Sequence, residues 1–213
     1  MKIAVLGTGS VGGTLGRRWA QFGHQVIFGS RDPSAEKVQR LLAEAGPTAC
    51  AGSPQEAVSA SDVILLSTPW TTVPATLASL TDLHNKVLID CINPLNETFS
   101  GLTHGHTNSA AELVAAWAPS ARVVKAFNTV SSKVMADANF LGQPATLFVC
   151  GDDADAKQTV QQLASDLGFE AVDAGPLLNA RYLEPLAMLY IHLAVREGWG
   201  SNTAFKILKR PKQ

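Results

Sequence analysis

Charge is scarce in this chain and nearly balanced: 17 Lys and Arg face 18 Asp and Glu, a formal net charge of −1, and charged residues make up 16% of the sequence. Such a surface offers no electrostatic footprint for nucleic acid or for an anionic membrane. Long apolar runs are missing as well. The nearest, 183–195, contains Glu184 and His192 and is too short to cross a bilayer. Cysteine is limited to Cys50, Cys91 and Cys150, odd in number, far apart and each in an apolar strand-like context. Buried, reduced thiols of a cytoplasmic protein are expected, with no disulfide framework and no metal site. No low-complexity linker interrupts the 213 residues, and 46% hydrophobic content suffices for a sizeable core. A strand that begins at the second residue leaves no room for a signal or transit peptide.

What is present is concentrated at the start. Residues 2–6 read as an apolar strand, followed by Gly7-Thr8-Gly9-Ser10-Val11-Gly12-Gly13, a helical run to Phe22, and a second apolar segment, 25–28. Strand, glycine turn, helix and strand within about thirty residues form a βαβ unit suited to a dinucleotide. Gly7 permits the tight turn, Gly9 lets backbone approach a diphosphate, and Gly12 lets the helix pack on the sheet. The free N–H groups and positive helix end near Ser10 then hold the diphosphate. A carboxylate at the end of the second strand would select NAD through its ribose hydroxyl. This chain has Gly29-Ser30-Arg31 there, with Lys37 two turns on. Those side chains suit a 2′-phosphate, so NADP is expected. Asp32, before Pro33, reads as the cap of the next helix.

The remainder alternates. Helices are expected over 33–45, from a Ser53-Pro54-Gln55-Glu56 capping box to about Ser61, and over 73–79, 110–117 and 154–167. Strands are expected at 48–50, 62–67, 86–91, 122–126, 146–150 and 169–172. That rhythm implies an α/β fold, a doubly wound parallel sheet of the Rossmann type. Residues 1–174 form the dinucleotide-binding domain. Residues 175–213 add a helical segment packed on it, with an apolar helix over 178–196 that contains Pro185 and serves either as core or as a subunit interface.

Ligands of such sheets bind at the carboxyl ends of the strands. Those ends carry Gly7-Thr8, Ser30-Arg31, Ser67-Thr68-Pro69-Trp70 with Val73 just beyond, Asn93-Pro94 and Ala126-Phe127-Asn128. All should line one crevice. The long loop 96–108 beyond Pro94 suits a lid. Its His104 and His106 are too few for a metal site, and a histidine touching substrate is the better use for them. Ser109-Ala110-Ala111-Glu112 is a second capping box.

On these features the chain resembles the F420-dependent NADP oxidoreductase family. The resemblance spans nearly the whole length. It rests on the glycine turn, Gly29-Ser30-Arg31 with Lys37, Pro69-Trp70, Ser109-Ala110-Ala111-Glu112, Val149-Cys150-Gly151-Asp152-Asp153 and Asp173-Ala174-Gly175-Pro176-Leu177. It implies a hydride passed between C4 of the nicotinamide and C5 of a deazaflavin, coenzyme F420. It also implies Ser30 and Arg31 on the 2′-phosphate, and a homodimer. Two places depart from the archaeal members: Asn128 stands where they carry a histidine facing the cleft, and the glycine turn lacks their extra residue. The cytoplasmic reductase domain of membrane ferric reductases is similar too.

Hydride transfer between flat rings needs orientation and exclusion of water more than an acid. No His–Asp or Tyr–Lys pair stands at the strand ends, and Asn128 is the candidate for orienting the nicotinamide or the acceptor. Reduction of another small acceptor (an imine, a quinone or a ferric chelate) and coenzyme sensing without turnover are the alternatives.

Overall fold

The computed structural model describes residues 1–210. Among them the chain runs β1 (Lys2–Leu6), α1 (Ser10–Gln21), β2 (Gln25–Gly29), α2 (Glu36–Ala45), β3 (Ala49–Gly52), α3 (Pro54–Ser59), β4 (Val63–Leu66), α4 (Val73–Ala78), β5 (Val87–Asp90), α5 (Ala110–Trp117), β6 (Arg122–Lys125) and α6 (Ser132–Ala136). It continues through a short hairpin of β7 (Asn139–Phe140) and β8 (Gln143–Pro144), then β9 (Thr146–Gly151), α7 (Ala154–Asp166), β10 (Glu170–Asp173) and α8 (Ala180–Ile191). One eight-stranded sheet has the order β10-β9-β6-β5-β4-β1-β2-β3. The order reverses at β1, which lies between β4 and β2, so the crevice expected for a dinucleotide opens above it.

Apolar strands with no polar face need cover on both sides, and they have it. Ile3 and Val5 of β1 point into one core with Leu15 and Trp19 of α1, while Ala4 and Leu6 point into the other with Ala57, Val58 and Val73. Trp19 is fully buried; its indole Nε1 donates to the Leu163 carbonyl at 3.0 Å and ties α1 to α7. Ser53 caps α3 in the reciprocal box with Glu56, as its sequence indicates.

Several expectations are corrected. The sheet is mixed: β1 to β6 are parallel, but β9 meets β6 antiparallel, and β10 follows β9. An apolar run has no direction, so the reversal is invisible to periodicity. Helix α2 starts at Glu36, not at Pro33, and Ala35 is its cap. Asp32 instead closes an Asx turn, its Oδ1 accepting from the Ser34 N–H at 3.0 Å and from the Ser34 hydroxyl at 2.6 Å. The 178–196 helix is divided into a 3-10 turn at Leu177–Asn179, α8 with Pro185 inside, and a π-helical turn at His192–Arg196. Leu177, Ala180 and Leu183 sit in the second core, so this segment packs on the sheet.

The thiols are not alike. Cys91 and Cys150 are buried, but Cys50 on the edge strand β3 is exposed. Burial pushes both the Cys91 and the Cys150 thiols up to about 12, which keeps them protonated and unreactive near neutrality. Iodoacetamide should therefore alkylate Cys50 alone in the native protein and all three thiols after unfolding, read by intact mass. Two adducts on the native protein would place one of the inner thiols wrongly.

Candidate functional site

The glycine turn is built by close approach. Gly7 has φ +108°, and a Cβ there would lie 2.6 Å from the Ser67 carbonyl oxygen. A Cβ on Gly12 would fall 1.9 Å from the Gly7 oxygen and 2.3 Å from Ser67 Oγ. Gly9 faces open space, with no heavy atom within 4 Å of a Cβ position. Ser67, expected to touch coenzyme, has its hydroxyl donating toward the Leu6 and Gly7 carbonyls at 2.9 and 3.1 Å; it braces the turn. Gly9 caps α1 with no side-chain acceptor and no acid lies in the first turn, so the amide end of the helix is left open beside Thr8, Ser10 and Val11. A cleft of about 460 Å³ opens there, lined by Thr8, Gly9, Ser10, Lys37 and Arg40 among others. A larger hollow of about 550 Å³, among Met1, Gln25, Ser61 and Lys86, lies at the opposite end of the strands.

At the exit of β2, Ser30 donates to the Asp32 carbonyl at 2.9 Å and accepts the Asp32 N–H at 3.2 Å, so its hydroxyl shapes the loop. The Ser34 hydroxyl holds the Asp32 carboxyl below its ordinary value, as expected for a carboxylate closing a turn. Nearby, Arg17 is paired with Glu44 and Arg40 with Glu36. Arg31 and Lys37 extend from exposed positions, with no ion pair among the described residues.

The other end of the crevice lies above β4, β5 and β6. Thr68 Oγ1 is buried without a partner. Trp70 stacks on Trp117 with centroids 5.6 Å apart, and His104 of the 96–108 loop sits edge-on to it at 5.4 Å. Asn93 and Asn128 form an amide pair: Asn93 Nδ2 donates to the Asn128 carbonyl at 2.8 Å, and Asn128 Nδ2 to Asn93 Oδ1 at 3.2 Å. Asn128 Nδ2 also donates to the Leu183 carbonyl at 3.0 Å, and its own Oδ1 is enclosed without a donor. Asn93 is half-buried and is the accessible member of the pair. Phe127 holds φ +62°, a left-handed conformation costing a non-glycine about 1–2 kcal/mol. Trp19 and Phe169 clamp its ring edge-to-face. Val73, Pro94, Ala126 and Phe127 are buried, so their side chains belong to the core and not to the lining.

Beneath the amide pair lies a charged group that no motif announced. Lys125, Asp90 and Glu184 are all fully buried. Lys125 Nζ donates to Asp90 Oδ2 at 3.0 Å, to Glu184 Oε1 at 2.8 Å and to the Ile92 carbonyl at 2.5 Å. Asp90 Oδ1 accepts the Ile92 N–H at 2.9 Å. Glu184 also accepts the Ala110 and Ala111 N–H groups at 2.9 and 3.2 Å, capping α5 from α8. Burial alone would strip the lysine of its charge, but the Asp90 and Glu184 carboxylates outweigh it and raise the Lys125 pKa. The Ser109 box is correspondingly rearranged: Ser109 Oγ accepts the Glu112 N–H at 3.2 Å, while the Glu112 carboxylate is forked by Arg181 of α8 at 2.6 and 2.9 Å. Lys125 and Glu184 interrupt otherwise apolar runs, which was the one available hint.

Two of the blocks that carry the family resemblance, 149–153 and 173–177, lie away from the crevice. Asp153 sits 3.6 Å from Arg122 at the start of β6, Asp152 accepts the Leu177 N–H at 2.9 Å, and Gly151 donates to the Gly175 carbonyl at 3.0 Å. They fasten the reversed strand β9 to the chain that leads into α8. Among the described residues no three His, Cys, Asp or Glu side chains converge as a metal site would require, and no helix is long and apolar enough to cross a membrane.

Comparison with known proteins agrees with this arrangement. The profile described as NADP oxidoreductase, coenzyme F420-dependent, matches residues 2–94. An F420-dependent NADP reductase of Methanothermobacter thermautotrophicus is 32% identical, over 100% of this chain and 97% of its own length. Metalloreductase STEAP3 of Rattus norvegicus is 34% identical over 88% of this chain, which corresponds to 37% of that longer protein. A crystal structure from Arthrobacter sp. FB24, provisionally named an F420-dependent NADP reductase, superposes with a TM-score of 0.88 at 32% identity, covering 98% of this chain and 100% of that one.

Proposed function

The chain belongs to the F420-dependent NADP oxidoreductase family, and from that premise we propose that it passes a hydride between NADP(H) and coenzyme F420 in the crevice above β1 and β4. The observation that carries the coenzyme half is the open amide end of α1 in a cleft that Lys37 also lines, with Arg31 exposed at the exit of β2. When bound, NADPH supplies a hydride from nicotinamide C4, and the deazaflavin takes it at C5 with a proton at N1. The protein's part is to bind, align and keep water out.

Thr8, Gly9, Ser10 and Val11 offer backbone N–H groups to the diphosphate where Gly9 leaves room. Arg31 forks onto the 2′-phosphate and Lys37 adds a point charge, with Ser30 holding the loop that presents them. Thr68, Pro69, Trp70 and Asn93 border the nicotinamide end. Asn93 presents its remaining amide hydrogen there, and Asn128 orients by fixing Asn93. The Trp70–His104 wall offers a flat acceptor ring an aromatic face. Exposed Tyr182 and Leu189 on α8, with Leu178 in the 3-10 turn that precedes it, suit a second copy of the chain, and the cytoplasm is the compartment of action. Of the 175–213 segment, the described residues are read as part of the one folding unit, because Leu177, Ala180 and Leu183 complete the second apolar layer.

Substituting Arg31→Ala should weaken NADPH about ten- to a hundredfold and leave NADH nearly unchanged, since a hydrogen bond to a charged group is worth roughly 1.5–3 kcal/mol. Equal losses for both coenzymes, measured by calorimetry, would put the phosphate elsewhere. The acceptor is tested by following NADPH absorbance with F420, a flavin, an imine, a quinone and a ferric chelate offered separately. Turnover confined to the ferric chelate would favour the metalloreductase-like reading.

A further inference from the structure

The buried group formed by Asp90, Lys125 and Glu184 does more than join α8 to the sheet. Both carboxylates act only as acceptors: Asp90 takes the Ile92 N–H and Lys125, and Glu184 takes Lys125 and two amides of α5. A carboxylate oxygen met only by donors is an ionised one. Two negative charges therefore face one ammonium, and the group holds one negative charge in excess. The amide end of α5 offsets about half a charge of it. The adjacent Arg181–Glu112 pair is neutral and changes nothing. The group lies at the carboxyl ends of β5 and β6, beneath the amide pair at the nicotinamide end: Asp90 accepts the N–H of Ile92, the residue before Asn93, and Glu184 follows Leu183, whose carbonyl holds Asn128.

We infer that this buried excess charge sets which redox form of the coenzyme the crevice prefers, holding the cationic ring of NADP⁺ more tightly than the neutral ring of NADPH. The inference rests on the coenzyme reading above. A fixed negative charge inside the fold, poorly screened by water, attracts the positive ring at a distance, and NADPH gains nothing from it. Giving up the hydride creates that positive charge, so the same charge favours NADPH as donor. Asp90 and Glu184 thus act at a distance, without touching the coenzyme.

Calorimetric titration of the protein with NADP⁺ and with NADPH tests this without any acceptor. The wild-type protein should bind NADP⁺ at least as tightly as NADPH. Glu184→Gln and Asp90→Asn keep the shape and each remove one charge, and each should weaken NADP⁺ relative to NADPH by roughly three- to tenfold. A merely structural role would weaken both forms together and leave their ratio unmoved, which would overturn the inference. So would a wild-type preference for NADPH, a result available even if both variants fail to fold. Absence of binding by either form would instead sink the coenzyme reading itself.

Discussion

Lys125→Met should cost the fold about 3–5 kcal/mol, because it leaves two buried carboxylates without their shared cation. Nothing else on hand can replace it. Asp90 and Glu184 are fully enclosed, and the remaining donors around them are backbone amides already in use. Water cannot reach either group without opening the seam between α8, α5 and the strand ends. For a chain of this size each kcal/mol lowers the melting midpoint by roughly 2–4 °C, so a fall of roughly 6–20 °C is expected. Replacing all three residues by apolar side chains of similar volume should cost far less, since that change removes the charges together with their partner. A loss below about 1 kcal/mol for the single substitution, by urea unfolding, would show that the carboxylates find water or protons.

Gly12→Ala should abolish measurable NADPH binding while only denting stability. The added methyl would sit 1.9 Å from the Gly7 carbonyl oxygen, a backbone atom that has no side-chain rotation with which to escape. The turn must move, and overpacking of this kind costs about 1–3 kcal/mol. Displacing the turn takes the amides of Thr8 to Val11 off line. Losing two charge-assisted hydrogen bonds, each worth roughly 1.5–3 kcal/mol, lowers affinity more than about a hundredfold. Gly9→Ala separates the two effects, because its methyl meets open space in the free protein. That variant should melt like the parent yet bind coenzyme poorly. Normal affinity in Gly12→Ala would mean that the diphosphate does not lie on this turn.

The amino-terminal half of the molecule was legible because its signals are local. The spacing of Gly7, Gly9 and Gly12, the Ser53–Glu56 box and the apolar runs of β1, β4 and β5 each specify an element within a few residues. What the sequence hid is non-local or conformational. The reversed pair β9 and β10 carries the same apolar pattern that a parallel pair would. The β7–β8 hairpin turns through Leu141 at φ +53° and Gly142 at φ +89°, a left-handed pair that the leucine disguises. The buried triad joins positions 90, 125 and 184, which nothing in local composition connects. At the crevice, proximity to a strand end was a fair guide to backbone and a poor one to side chains. Val73 and Phe127 turn inward, and Ser67 serves the turn.

The late place of Glu184 in the chain also dictates a timetable. Strand β9 ends opposite Val124 of β6 with β10 beside it, and the chain must still pass the turn at Gly175-Pro176 and enter α8 before Glu184 reaches Lys125. A polypeptide emerging from the ribosome can therefore lay down the glycine turn and the first six strands early. Until α8 appears, α5 lacks the cap that Glu184 provides and Asn128 lacks its Leu183 anchor. The nicotinamide end is thus completed last, and a nascent chain stalled before α8 would own a phosphate cradle with no finished place for chemistry.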